Sequence, residues 1–184
     1  MDLPPGTALG LAEGPPAPLV QLEWCSPFVG PVRRALHGLK YAGEQRVAPV
    51  LGQALAARWR AAGAGGDLVV PVPVHAARLR ERGYDQAALL AAAAARELHL
   101  PWREAVARTR ATTPQYRLDR GRRALNMEGA FGPAPDPAVR EVAGHWVILV
   151  DDVITTGATM REAAEVLLAM GAAAVSGLAV ARER

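Results

Sequence analysis

Cysteine is almost absent from this chain of 184 residues, in which Cys25 is the only one. A single thiol excludes an internal disulfide framework and a cysteine-based zinc site within one chain. Aromatic residues make up 5% of the chain, whereas hydrophobic residues of all types make up 51%. This composition favours a globular domain whose helices pack through small side chains rather than around an aromatic core.

Long apolar runs are also absent. A membrane-spanning helix needs about 18 or more consecutive apolar residues, and no run in the sequence approaches that length. The N-terminal segment carries acids and prolines, whereas a secretory signal carries a basic and then an apolar segment. We therefore expect a cytoplasmic protein that does not insert into a membrane.

Lysine is the third scarcity, because Lys40 is the only lysine among 21 basic residues. Nearly every positive charge is thus a guanidinium, whose planar fork suits phosphate and pyrophosphate. Residues 78–123 hold eleven arginines against five acids, a local charge of +6, and the rest of the chain carries −3. An arginine-rich genome explains the missing lysines but not this crowding, and at this point both interpretations stay open.

Strand and helix patterns alternate after a proline-rich beginning. Residues 1–26 are predicted to form a loosely ordered arm, and residues 27–184 a single domain. Periodicity predicts helices over 26–43, 48–66, 85–100 and 159–172, and strands over 67–74, 102–109, 145–152 and 174–183. Such alternation predicts an α/β fold with a mostly parallel central sheet flanked by helices.

The stretch VILVDDVITTGAT, residues 147–159, carries the clearest chemistry. An apolar strand ends in Asp151 and Asp152, and a loop rich in threonine leads into a helix. Backbone N–H groups at a helix start bind phosphate, and Gly157 allows close approach because it has no side chain. Two carboxylates would repel a phosphate unless they face sugar hydroxyls or Mg²⁺. The stretch therefore predicts a site for a phosphorylated sugar.

Two other nucleotide sites are excluded by motif. A Walker B strand also ends in acids, but it requires a G-x-x-x-x-G-K-[ST] loop, and Lys40 lies in HGLKYAG. A dinucleotide site requires G-x-G-x-x-G after a strand, which the chain does not contain. A purely structural loop would need one capping residue rather than this set of acids and hydroxyls.

The stretch 147–159 resembles the phosphoribosyl pyrophosphate (PRPP) motif of type I phosphoribosyltransferases. Residues 30–52, 69–91 and 108–131 are similar to the ComF family of competence-associated phosphoribosyltransferase-like proteins. The resemblance covers most of the chain from about residue 27 onward. It implies a type I phosphoribosyltransferase-like α/β fold with a small hood region.

The resemblance also assigns roles to individual residues. Asp151 and Asp152 would hold the ribose hydroxyls and, directly or indirectly, Mg²⁺. The 5′-phosphate would be bound by Thr155, Thr156, Gly157, Ala158 and Thr159. The turn that meets pyrophosphate would comprise Val72, Pro73, Val74, His75 and Arg78. The catalytic arginines would be Arg108 and Arg110, and the hood loop would contribute Gln115, Arg123 and Asn126. His75, a lone histidine near prolines, is more often structural than ligand-binding.

The implied activity is Mg²⁺-dependent transfer of phosphoribose from PRPP to a nitrogen nucleophile, such as a nucleobase, with release of pyrophosphate. The alternative is a weakly catalytic or non-catalytic accessory factor that binds PRPP and acts in single-stranded DNA uptake during natural transformation. The implied partners are PRPP, single-stranded DNA, other competence proteins and further copies of the chain.

The chain departs from the family pattern at two places. Many ComF-like proteins begin with a zinc ribbon of paired C-x-x-C motifs, so with one cysteine we expect no zinc here. Asp85 stands in RGYDQ where the family more often has asparagine. This aspartate is therefore a weak candidate for a role in the site.

Overall fold

The computed structural model describes residues 15–108, 130–137 and 140–183. Six strands and five helices form in this part of the chain, together with a short 3-10 helix at Gln45–Val47. In chain order they are β1 (Leu22–Pro27), α1 (Gly30–Tyr41), α2 (Ala48–Ala62), β2 (Leu68–Pro71), α3 (Ala76–Arg82), α4 (Gln86–Leu98), β3 (Val106–Arg108), β4 (Phe131–Pro133), β5 (Trp146–Ile154), α5 (Ala158–Ala169) and β6 (Ala174–Arg182).

The main sheet has four strands in the order β1-β6-β5-β2, and every pair in it is parallel. A bridge between Val69 and Trp102 extends the sheet beyond β2. The carboxyl ends of parallel strands lie at one edge, where ligands bind in open α/β sheets. The predicted parallel α/β fold is confirmed.

Helices cover both faces of the sheet. The first half of β5 is apolar at every position, so each of its faces can pack against a helix. Side chains alternate between faces along a strand. Val147 and Leu149 belong to a core cluster with Leu167 of α5, whereas Ile148 and Val150 belong to the cluster formed with α2 and α4. The strand is therefore buried on both sides, as a parallel-sheet strand should be.

Small residues set the packing of α2 against α4. A Cβ added at Gly52 of α2 would lie 2.4 Å from the Cβ of Ala93 in α4. The two helices approach this closely because neither has a large side chain at the contact. The small side chains that dominate the composition thus form this contact between helices.

The structure adds elements that the sequence pattern did not predict. Strand β1 begins inside the segment 1–26, for which the sequence predicts a loosely ordered arm, and it pairs with β6 from Leu22 to Pro27. The strand has few apolar residues and contains a buried glutamate. Glu23 is stabilised in the interior by Arg58, whose Nη2 lies 2.6 Å from Glu23 Oε2. The hydrophobic pattern of the sequence does not predict such a strand, because its buried polar residue depends on a partner that is distant in sequence.

A second, antiparallel sheet pairs β3 with β4 and lies against α5. Of the strand predicted over 102–109, the described residues 102–108 form Val106–Arg108. None of the helices in the described ranges is long and apolar enough to cross a membrane.

Candidate functional site

The two acids lie at the carboxyl end of β5, within the strand itself. The backbone N–H of Asp152 donates to Oδ1 of Asp151 at 2.7 Å, and the N–H of Val153 donates to Oδ1 of Asp152 at 2.8 Å. Because side chains alternate along a strand, Asp151 and Asp152 lie on opposite faces of the sheet. Asp151 is partly buried and Asp152 is buried.

Asp152 is ion-paired with the single lysine of the chain. The Nζ of Lys40, in the last turn of α1, lies 2.6 Å from Oδ2 of Asp152. The two side chains are 17% and 7% exposed. Sequence reasoning missed this contact, although the single lysine in an arginine-rich chain was a usable signal.

Asp151 occupies a setting unfavourable to its charge. Burial raises the pKa of its carboxyl group well above the usual value, and the adjacent negative charge of Asp152 acts in the same direction. The N–H of Asp152 and the charge of Lys40 lower it in part. A carboxylate held in this way gains from a hydroxyl donor or a cation that reaches it.

The loop after β5, for which the sequence predicts phosphate binding, leads directly into the start of α5. Gly157 is the N-cap of α5, with a φ of 81°, a value that glycine adopts without strain. Thr155, Thr156 and Thr159 are exposed, and the N–H of Ala158 donates to Oγ1 of Thr156 at 3.3 Å. The first N–H groups of a helix have no intrahelical partner, so the start of α5 presents donors beside these hydroxyls.

The turn after β2 lies beside the acids. The N–H of Val72 donates to the carbonyl of Val150 at 2.8 Å, which joins the turn to the end of β5. Pro73 and Val74 follow, and Arg78 lies exposed in α3. The structure thus places the predicted pyrophosphate turn next to the predicted sugar and phosphate residues.

His75 has a structural role in this turn. Its Nδ1 accepts the N–H of Ala77 at 3.1 Å and so caps α3, a helix that the sequence pattern did not predict. This agrees with the interpretation of His75 as structural.

Asp85 holds the same turn in place. Its Oδ2 accepts the N–H of Val74 at 2.8 Å, while Oδ1 accepts the N–H groups of Ala87 and Ala88 at the start of α4. Burial raises the pKa of this carboxyl group, and the three N–H donors oppose the rise. Asp85 therefore connects the turn to the start of α4 through its two carboxylate oxygens.

Arg108 reaches the site from the end of β3. Its guanidinium carbon lies 5.0 Å from the centroid of the Phe131 ring. Burial lowers the pKa of Arg108, while the charges of Glu162 and Asp151 favour its cationic form. The other predicted arginines and hood residues lie outside the described residues, namely Arg110, Gln115, Arg123 and Asn126.

The described residues contain no cluster of three or more His, Cys, Asp or Glu side chains that would hold a metal by themselves. Mg²⁺ commonly uses one or two carboxylates together with substrate phosphates. Asp151 fits that pattern, whereas Asp152 already has a cationic partner in Lys40. The residues therefore fit a Mg²⁺ ion that also binds the oxygens of a phosphorylated substrate.

Comparisons with known proteins extend the match beyond this motif. A family model of the phosphoribosyl transferase domain matches residues 60–183. DNA utilization protein YhgH of Escherichia coli (strain K12) is 36% identical over 166 residues, which are 87% of this chain and 71% of that protein. Competence protein ComFC of Bacillus subtilis (strain 168) is 34% identical over 116 residues, 62% of this chain and 44% of that protein.

Solved structures also include a match of low sequence identity. The glutamine PRPP amidotransferase from B. subtilis, complexed with ADP and GMP, matches with a TM-score of 0.49 and 21% identity. The match covers 72% of this chain and 26% of that chain.

Proposed function

Because the chain belongs to the ComF family of phosphoribosyl transferase domains, we propose that it binds PRPP at the carboxyl edge of its sheet and transfers the phosphoribosyl group to a nitrogen nucleophile. One observation carries the proposal. The acids of β5, the helix start at Gly157 and the turn after β2 lie together at one edge. These three features suit the hydroxyls, the 5′-phosphate and the pyrophosphate of a single PRPP molecule.

In this proposal each group has a task. Thr155, Thr156 and the N–H groups at the start of α5 hold the 5′-phosphate, and Asp151 accepts from ribose hydroxyls. Arg78 and Arg108 offset the charge of pyrophosphate as it leaves. Mg²⁺, when bound with the substrate, supplies further neutralisation of the leaving oxygens.

The reaction needs no covalent nucleophile from the protein. The bond between C1 of ribose and the pyrophosphate oxygen breaks, and its electron pair stays with pyrophosphate. The nitrogen lone pair of the acceptor forms the new bond to C1, and the acceptor loses a proton. Catalysis then consists of orientation and stabilisation of the charge that develops, to which one preorganised donor contributes about 3 kcal/mol.

Binding of PRPP with Mg²⁺ tests the pocket by calorimetry and thermal shift. At about 100 times Kd a ligand stabilises the native state by about 2.7 kcal/mol, so the Tm of the protein should rise. Asp151→Asn should weaken PRPP binding by about 10- to 100-fold, because it removes a charged acceptor. Asp67→Asn is the matched control, since Asp67 precedes β2 at the opposite edge of the sheet. No shift at saturating PRPP would overturn the pocket assignment.

Turnover requires a separate assay. Pyrophosphate release should be measured with PRPP, Mg²⁺ and a panel of purines, pyrimidines and ammonia. We expect release with at least one acceptor, and loss of release in Arg108→Ala. Binding of PRPP without release from any acceptor would instead favour the accessory role.

The accessory role in DNA handling is favoured by one surface. Exposed Arg34, His37 and Tyr41 follow one another along α1, and the rings of His37 and Tyr41 have centroids 4.7 Å apart. The guanidinium carbon of Arg82 lies 5.0 Å from the Tyr41 ring centroid. Alternating cations and aromatic rings are typical of single-strand binding surfaces. Two of the relatives are named a DNA utilization protein and a competence protein.

Fluorescence anisotropy with a labelled oligothymidine tests this surface. Binding should weaken steeply as salt rises, and Arg34→Ser with Tyr41→Ser should reduce both the affinity and the salt slope. Arg96→Ser serves as the control, because Arg96 is an exposed arginine on α4. Equal affinity in all three proteins would argue against the surface on α1.

A further inference from the structure

The ion pair between Lys40 and Asp152 is built more tightly than a surface contact. Oδ2 of Asp152 is buried and has no hydrogen-bond donor of good geometry in the described residues, so the ammonium 2.6 Å away is its compensating charge. Oδ1 is occupied by the N–H of Val153. The carboxylate is thereby fixed at both oxygens, one by its own strand and one by α1.

The end of α1 that carries Lys40 is itself held in place. The hydroxyl of Tyr84 donates to the carbonyl of Leu39, and Arg82 lies over the ring of Tyr41. Leu39 is fully buried. Lys40 thus lies between two residues that contact the end of α3 and the turn that follows it.

The charge arrangement requires a cation at this place. Asp151 and Asp152 are adjacent in sequence. Burial raises the pKa of Asp85, and the negative charge of Asp152 adds to that rise. PRPP would bring further negative charge to the same edge. The ammonium of Lys40, whose side chain is 17% exposed, reduces the local negative charge.

Lysine suits the task better than arginine. Its ammonium is a compact point charge that neutralises one oxygen, whereas a guanidinium is shaped to span both oxygens of a carboxylate. Because Oδ1 already accepts the N–H of Val153, only Oδ2 needs the cation. This explains why the single lysine of the chain stands at this position.

We propose that Lys40 is a positioning residue for sugar binding. It fixes Asp152, whose backbone N–H donates to Oδ1 of Asp151, so that Asp151 is oriented towards the ribose hydroxyls before substrate arrives. The inference rests on the proposed function, because it assumes that Asp151 meets a ribose. Lys40 acts through Asp152 and need not touch the substrate.

The test compares two ligands by calorimetry, ribose 5-phosphate and inorganic phosphate. Lys40→Met should lower the affinity for ribose 5-phosphate about tenfold and leave the affinity for phosphate within about twofold, because only the sugar meets Asp151. Lys40→Arg should recover part of the loss. Equal loss for both ligands, or no loss for either, would overturn the inference.

The matched control is Arg58→Met. Arg58 and Glu23 form another buried pair, also at 2.6 Å and with side chains 8% and 7% exposed, on the edge strand β1, which β6 separates from β5. This variant should lower the Tm but leave the affinities for both ligands unchanged. A loss of sugar affinity in Arg58→Met would mean that general destabilisation is responsible.

A double-mutant cycle keeps the inference testable if Lys40→Met folds poorly. Lys40→Met combined with Asp152→Asn removes both charges of the pair. If Lys40 acts through Asp152, the double variant should bind ribose 5-phosphate no more weakly than Asp152→Asn alone. Independent, additive losses would contradict a positioning role.

The binding of PRPP to wild-type protein distinguishes failure of the proposed function from failure of the role of Lys40. Wild-type protein that fails to bind PRPP sinks the proposed function itself. If the wild-type protein binds PRPP and Lys40→Met binds ribose 5-phosphate as well as wild type does, only the role of Lys40 is contradicted.

Discussion

At the scale of the residue, the acid pair divides its tasks by where each carboxylate lies. Asp152 is buried and tied to Lys40, whereas Asp151 is partly exposed and has the raised pKa. A native state that holds a carboxylate at such cost is less stable when that group is ionised. The ionised Asp151 therefore lowers the free energy of unfolding, and the same carboxylate can accept a hydrogen bond from a ligand.

The pH dependence of stability follows from that raised pKa. Between the unfolded-state pKa, about 3.9, and the raised folded-state value, the native state binds more protons than the unfolded state. The free energy of unfolding should therefore fall as pH rises through this interval. Asp151→Asn should remove this dependence, so the variant should be more stable than wild type at pH 7 and lose the advantage near pH 4. Urea unfolding at both pH values measures it, and a less stable variant at pH 7 would contradict it.

Asp85 gives a second test at this scale. Asp85→Asn keeps an oxygen for the cap of α4, but its amide nitrogen cannot accept the N–H of Val74. We expect a cost of about 1 kcal/mol in the free energy of unfolding and faster hydrogen exchange at Val74. Unchanged exchange at Val74 would show that the turn does not depend on this bond.

At the scale of the element, the start of α5 depends on a neighbour from the N-terminal segment. A Cβ added at Gly157 would lie 3.0 Å from Cγ of Pro16. Leu19, 5% exposed, packs in the core cluster that includes Met160 of α5. The segment before β1 therefore packs against the loop 155–159 and the start of α5.

Gly157→Ala should test this contact. The left-handed backbone and the contact with Pro16 together should cost more than about 1 kcal/mol of stability and should weaken phosphate affinity. Gly63→Ala is the matched control, because Gly63 has a φ of 64° and nothing within 4 Å of the added Cβ. Equal stability losses in the two variants would show that the contact with Pro16 adds nothing.

The sequence predicts the elements with strong periodicity and misses those that depend on distant partners. The apolar run of β5 and the alanine-rich α4 are evident from pattern alone. Strand β1 carries a glutamate compensated by Arg58 in α2, and α3 has only seven residues after a proline-rich turn. Local patterns cannot reveal a strand or helix that is stabilised by such contacts.

At the scale of the whole molecule, parallel topology brings the site together. The sequence predicts Asp151, Gly157 and Val74 as site residues because motif and resemblance mark them. It does not predict the pair formed by Lys40 and Asp152, since 112 positions separate them and only the placement of α1 against the sheet brings them into contact. The residues that are close in sequence could thus be predicted as a site, whereas the contact between distant residues is known only from the fold.

The central claim is that residues 151–159 and the turn after β2 hold PRPP. A crystal structure determined with PRPP and Mg²⁺ tests it most directly. We expect electron density for the 5′-phosphate inside the loop from Thr155 to Thr159, with ribose hydroxyls within hydrogen-bonding distance of Asp151. Density for PRPP elsewhere, or an empty loop at a concentration that saturates binding in solution, would contradict the claim.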